Sequence, residues 1–83
     1  MTYKIAFKKS VARDLKRIDR VQAMKILEKI DKVLSTKAME FPELKGQFTG
    51  LRKCRIGDYR VIFTIFDDTV LIARIKHRKE AYK

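Results

Sequence analysis

Residues 51–82 read LRKCRIGDYRVIFTIFDDTVLIARIKHRKEAY, and the fold is decided in this stretch. Residues 51–56 and 59–66 alternate or run apolar on either side of Gly57-Asp58. A two-residue connection with glycine first signals a type II′ hairpin, because the first turn residue needs a positive φ. That turn sets a register in which 56 opposes 59, 55 opposes 60, 54 opposes 61 and 53 opposes 62. Cross-strand partners share a face, as do residues two apart. Lys53, Arg55 and Arg60 are therefore expected on one face, and Cys54, Ile56, Tyr59, Val61, Phe63 and Ile65 on the other. Cations gathered on one face repel each other, so stability does not explain them.

The next turn has two readings. Asp67-Asp68-Thr69 makes a three-residue loop, or Asp67-Asp68 a two-residue one, and the choice reverses the faces of the last strand. Three residues send Leu71, Ala73 and Ile75 to the apolar face and Arg74 and Lys76 to the cationic one. Two residues thrust Arg74 among the apolar side chains. Segregation of charge from core favours the three-residue loop.

Upstream, Tyr3, Ile5 and Phe7 alternate with polar or small residues, as in an opening strand. Ser10 is placed to N-cap a short helix carrying Val11, Leu15 and Ile18, and Asp19 to N-cap a second. Met24, Leu27, Ile30, Val33 and Leu34 form the apolar stripe of that second helix, with Lys25, Lys29 and Lys32 on or near the other side. Residues 35–50, STKAMEFPELKGQFTG, read as a long connector. Pro42 stops regular structure there, Gly46 and Gly50 permit bends, and Met39, Phe41, Leu44 and Phe48 are available as anchors. The chain is expected to form one α+β domain over residues 1–83. Its order is β-α-α-β-β-β, with two N-terminal helices on one face of a small antiparallel sheet and the cationic face open.

The chain holds 83 residues, with 21 Lys and Arg against 10 Asp and Glu, a net charge of +11. An excess of this size on a small domain implies an anionic partner. There is no apolar run long enough to span a membrane and no secretory h-region in MTYKIAFKKS, so the expected place is the cytoplasm. The single cysteine, Cys54, has no partner for an internal disulfide and reads as a small apolar core residue.

Enzyme chemistries thin out quickly. His77 is the one histidine, which rules out a two-histidine ribonuclease mechanism, and the residues supply neither a metal-ligand spacing nor a cofactor motif. Asp67-Asp68 is turn chemistry. A nucleophile elbow and a Gly-rich phosphate loop are both missing. What the residues allow is phosphodiester recognition, and cleavage in which RNA supplies its own 2′-hydroxyl nucleophile.

Leu44-Lys45-Gly46, the run Leu51-Arg52-Lys53-Cys54-Arg55-Ile56-Gly57-Asp58-Tyr59-Arg60-Val61-Ile62-Phe63, and Arg74-Ile75-Lys76-His77-Arg78-Lys79-Glu80-Ala81-Tyr82 together resemble the RelE/ParE toxin superfamily. The likeness extends over the whole chain in length and element order. It implies a RelE-like fold and, in the cleaving branch of the family, ribosome-dependent, metal-independent cutting of mRNA with no cofactor. By resemblance Lys53 and Arg55 match the basic pair before the turn, Arg60 the arginine after it, and Arg78 and Tyr82 the C-terminal arginine and tyrosine. In such a site the arginines stay charged and grip phosphate. Lys53, crowded by cations, is a candidate base, and Tyr82 offers a stacking face. Arg52, Arg74, Lys76, His77 and Lys79 are expected to add RNA contacts, and which of Lys53, Arg55 and His77 moves protons stays open. The implied partners are an acidic or amphipathic antitoxin, the ribosome and mRNA. Two other readings suit the same fold: a ParE-like, non-enzymatic inhibitor of DNA gyrase, and a basic RNA-binding module.

Overall fold

The computed structural model describes residues 2–44 and 50–79, so the expectations placed on Gly46, Phe48 and Tyr82 fall outside it. The elements are β1 (Lys4–Phe7), α1 (Lys9–Lys16), α2 (Arg20–Lys29), β2 (Arg52–Ile56), β3 (Tyr59–Phe66) and β4 (Thr69–His77). Two helices pack on a four-stranded sheet of order β1-β4-β3-β2. The α+β class holds. The sheet is mixed rather than wholly antiparallel, because β1 lies parallel to β4. The two helices carry the chain from β1 across the sheet to its far edge. The two hairpins then bring β4 back beside β1, pointing the same way.

The first hairpin has the register read from the sequence, from Ile56↔Tyr59 through Arg55↔Arg60 and Cys54↔Val61 to Lys53↔Ile62. Gly57 has φ +59°, the left-handed value its turn position demands. The second hairpin departs from the expectation. Phe66 pairs with Thr69, so the loop is the two-residue Asp67-Asp68. Leu71 then opposes Thr64, while Val70 and Ile72 are the residues that reach the core. A register shift at Ile62/Phe63 makes Ala73 the extra residue of a β-bulge. Beyond it Arg74 opposes Ile62, Ile75 opposes Val61 and Lys76 opposes Arg60. The bulge lets a two-residue turn coexist with separation of charge from core, which an unbroken period of two cannot do.

Asp19 caps α2 as expected, its carboxylate accepting from the Gln22 N–H at 3.4 Å. Ser10 does not cap α1. It lies within the helix, and its hydroxyl donates to the Ala73 carbonyl at 2.8 Å. The expected stripe of the second helix also shifts. Met24 is 58% exposed, and Ile26, Ile30, Leu34 and Ala38 are the buried residues. They recur every four residues, a spacing that drifts about 40° per step around an ideal α-helix. Past α2 the chain winds as a π-helix over Ile30–Leu34, then an α turn over Ser35–Lys37 and a 3-10 turn over Ala38–Glu40. The wider π turn offsets the drift and keeps Leu34 and Ala38 over the sheet. The connector is thus shorter than expected and helical to residue 40, with Met39 exposed and Phe41 packed edge-to-face on Phe63 at 6.2 Å.

The core joins Val11, Ile26, Ile30, Leu34 and Ala38 from the helices to Cys54, Ile56, Val61, Phe63, Val70, Ile72 and Ile75 from the sheet. Burial pushes the Cys54 thiol up, against the opposing charge of Lys29, in keeping with an inert core residue.

Past the bulge, α1 takes the place of an edge strand beside β4. Lys8 N–H donates to Ile72 O and the Ser10 hydroxyl to Ala73 O, while the Asp14 carboxylate accepts from the Ile75 N–H at 2.9 Å. The same carboxylate accepts from Arg74 Nε and Nη2 at 2.9 and 3.1 Å. Burial alone would raise the Asp14 carboxyl, but the Arg74 and Ile75 hydrogen bonds and the charges of Arg74 and Lys76 hold it below the ordinary carboxylate range.

Asp14→Ala is expected to cost about 2 kcal/mol. Most of that comes from the Ile75 N–H left without a partner, since water screens an arginine side chain that is 42% exposed. A carboxyl that titrates lower in the folded chain than in the unfolded one contributes fully above the ordinary carboxylate range. Its contribution is lost as pH falls through the lowered value. Asp14→Asn should therefore flatten the acid limb of stability, measured as urea midpoints across pH.

Candidate functional site

The register assembles the cations in rows across three strands. Arg55, Arg60 and Lys76 form one row, and Lys53, Ile62 and Arg74 the next. Ile56 and Tyr59 close the turn, so Arg55 and Arg60 form the adjacent non-hydrogen-bonded pair, whose Cα atoms lie about 4.5 Å apart in such ladders. Like charges placed directly opposite destabilise a sheet. Among the described residues no carboxylate forms an ion pair with Lys53 or Arg55. Arg55 donates from Nε to the Gly57 carbonyl at 3.2 Å, which orients the guanidinium without neutralising it.

Two hollows share this pair. One, of about 290 Å³, is lined by Arg55, Tyr59, Arg60, Arg78 and Lys79. The other, of about 370 Å³, is lined by Phe41, Pro42, Lys53, Arg55 and Arg60. Together they form a cationic trough over the open face and end of the sheet. Its far wall is held to the turn of the first hairpin, because Arg78 N–H donates to Asp58 O at 2.8 Å and Arg78 Nε lies 4.0 Å from the Asp58 carboxylate. Lys79 N–H donates to His77 Nδ1 at 3.2 Å, which leaves the ring proton of a neutral His77 on Nε2.

The structure thus brings Lys53, Arg55, Arg60, Arg78 and Lys79 together, with Lys76 beside Arg60. Of the expected RNA contacts, Arg52 and His77 lie off the cationic face, and Arg74 lies on it but is paired. Arg52 opposes Phe63 on the helix-covered face. Its side chain, 17% exposed, donates to the Phe41 and Met39 carbonyls and pairs with Glu43 at 3.3 Å, strapping residues 39–43 to β2. Arg74 lies on the cationic face with its guanidinium in the Asp14 pair. His77 shares the Tyr59 side of the sheet, the rings meeting edge-to-face at 5.2 Å. Sequence reasoning missed Tyr59 and Asp14. Tyr59 closes the hairpin at the end of the sheet, where the core runs out, and that position was the available signal. Ser10 and Asp14, four apart on one helix face, were the signal for the strap.

Among the described residues no three His, Cys, Asp or Glu side chains gather to hold a metal ion, and no helix is long and apolar enough to cross a membrane.

Residues 5–82 match the sequence model of the ParE toxin of the type II toxin–antitoxin system parDE. The chain belongs to the RelE/ParE toxin superfamily. No curated protein matches this toxin in sequence. Among solved structures it is similar to the RelBE2 toxin–antitoxin complex of Mycobacterium tuberculosis, at 27% identity over 94% of this chain and 93% of that one, with a TM-score of 0.89. It is also similar to the archaeal RelE–RelB complex of Pyrococcus horikoshii, at 30% identity over 94% and 97% of the two chains, TM-score 0.73. The chromosomal ParDE system of Pseudomonas aeruginosa shares the fold, at 18% identity over 92% and 96%, TM-score 0.71.

If the trough of this RelE/ParE toxin tracks a phosphate backbone, single-stranded RNA binding should fall with salt. Arg55→Ala and Arg60→Ala should each lower the slope of log K against log salt by about 0.7. Filter binding at stepped salt checks this, and an unchanged slope would remove these side chains from the interface.

Proposed function

We propose that this toxin is a ribosome-dependent endoribonuclease that cleaves mRNA without a metal cofactor. The observation that carries the reading is the Arg55–Arg60 pair, shared by both hollows and flanked by Lys53, Arg78 and Lys79. A scissile phosphate held there meets cations already in place, which lowers the barrier wherever charge grows on the phosphoryl oxygens. The 2′-hydroxyl of the RNA is the nucleophile. Lys53 and His77 are the candidates for proton transfer, and Tyr82 for stacking a base. Free RNA is flexible, and the ribosome supplies the alignment that brings nucleophile, phosphorus and leaving oxygen into line.

The partner in the resting state is an antitoxin with acidic and apolar segments. Its acidic part complements the trough. Support for an apolar part comes from Phe7, 47% exposed in a hollow of about 380 Å³ that Val11, Ala12, Leu15 and Leu27 line together with Lys8 and Lys9. Binding to the folded toxin alone raises its melting temperature. A second reading, a non-enzymatic inhibitor of DNA gyrase, draws support from the match to the ParE family model.

On translating ribosomes, Arg60→Ala and Arg78→Ala are each expected to slow mRNA cleavage by about 10²–10³. The melting temperature of Arg78→Ala should stay near that of the parent, since that exposed side chain contributes little to stability. Mapping of mRNA ends reads the cleavage. Intact mRNA together with blocked gyrase supercoiling would establish the second reading instead.

A further inference from the structure

We infer that the hollow beside the hairpin turn is a nucleotide pocket in which Tyr59 contacts the base, while Arg55, Arg60 and Arg78 take the phosphate. The inference deepens the RNA-cleaving reading of this face and rests on it for the biological substrate. Three observations carry it. First, the lining is heterogeneous: an aromatic side chain stands among three guanidinium groups and an ammonium group, and a site for bare phosphate has no use for the ring. Second, the volume of about 290 Å³ lies at the small end of the roughly 300–1,000 Å³ range of small-molecule sites. That is room for one nucleotide.

Third, the ring is held. Tyr59 packs against the core on one side, meets His77 edge-to-face at 5.2 Å, and is fixed in register opposite Ile56. A ring already immobilised loses little further freedom on stacking. The wall facing it is held as well, by the Arg78–Asp58 and Lys79–His77 hydrogen bonds. His77 is therefore a positioning residue for this pocket, acting on Tyr59 through the ring contact and on Lys79 through Nδ1.

The test titrates the free, full-length toxin with adenosine 3′-monophosphate and, separately, with inorganic phosphate, following the Tyr59 ring protons by NMR. The nucleotide should move those resonances upfield through the ring current of the base and bind about tenfold more tightly than phosphate. Tyr59→Phe should keep that advantage, and Tyr59→Leu should lose it while still binding phosphate. Equal affinities with unmoved Tyr59 resonances would overturn the inference. Should Tyr59→Leu fail to fold, the parent's ring shift and the Tyr59→Phe titration still decide. Because the readout involves no ribosome, a nucleotide-specific ring shift in a toxin that leaves mRNA intact would discard the nuclease reading and keep the pocket. Cleavage without a ring shift would do the reverse.

Discussion

Strand β4 has to bury Val70 and Ile72 before Ala73 and Ile75 after it, and an unbroken strand of period two cannot do both. The bulge at Ala73 resolves the conflict, and much of the molecule follows from it. It turns Arg74 and Lys76 onto the face that already holds Lys53, Arg55 and Arg60. It also leaves the Ala73 carbonyl and the Ile75 N–H on the β4 edge just where β1 has ended. Those groups need partners, and Ser10 and Asp14 of α1 supply them. Helix α1 is thereby fixed against the sheet by polar contacts as well as by Val11.

The same carboxylate settles how one cation of the open face is used. Asp14 is buried and would be costly there without partners. Arg74 supplies the compensating charge, so among the cations of β4 it holds the fold together while Lys76 stands beside Arg60. Arg52 does the same at the opposite edge, where it gathers the carbonyls of Met39 and Phe41 over the core. Arg55 standing directly opposite Arg60 works against folding. In a domain of 83 residues stability is small to begin with, so cations set opposite each other on one face are the physical argument for a function in binding an anion.

Much of this was legible in residues 51–66. The Gly57-Asp58 turn allows one register, and a register assigns every side chain in two strands to a face. Lys53, Arg55 and Arg60 could therefore be grouped from the sequence, and Asp19 could be read as a helix cap because capping is local. Chemistry set by residue type was equally readable: one histidine and one cysteine restrict what a site can do, whatever the fold.

Tertiary structure alone decided what depends on partners distant in sequence. The bulge at Ala73 lets Val70 and Ile72 be buried before it and Ile75 after it, and its local sequence does not announce it. Ser10 sits inside α1 and donates to the Ala73 carbonyl, 63 residues away, because a strand edge stood open beside it. Arg52 and Arg74 have the same chemistry as Arg55. They differ in having Glu43 and Asp14 within reach, and reach is a property of the folded chain. Tyr59 follows the same rule: its apolar face assignment was correct, but only the end of the core beside it leaves that ring half-buried in the wall of a cationic pocket.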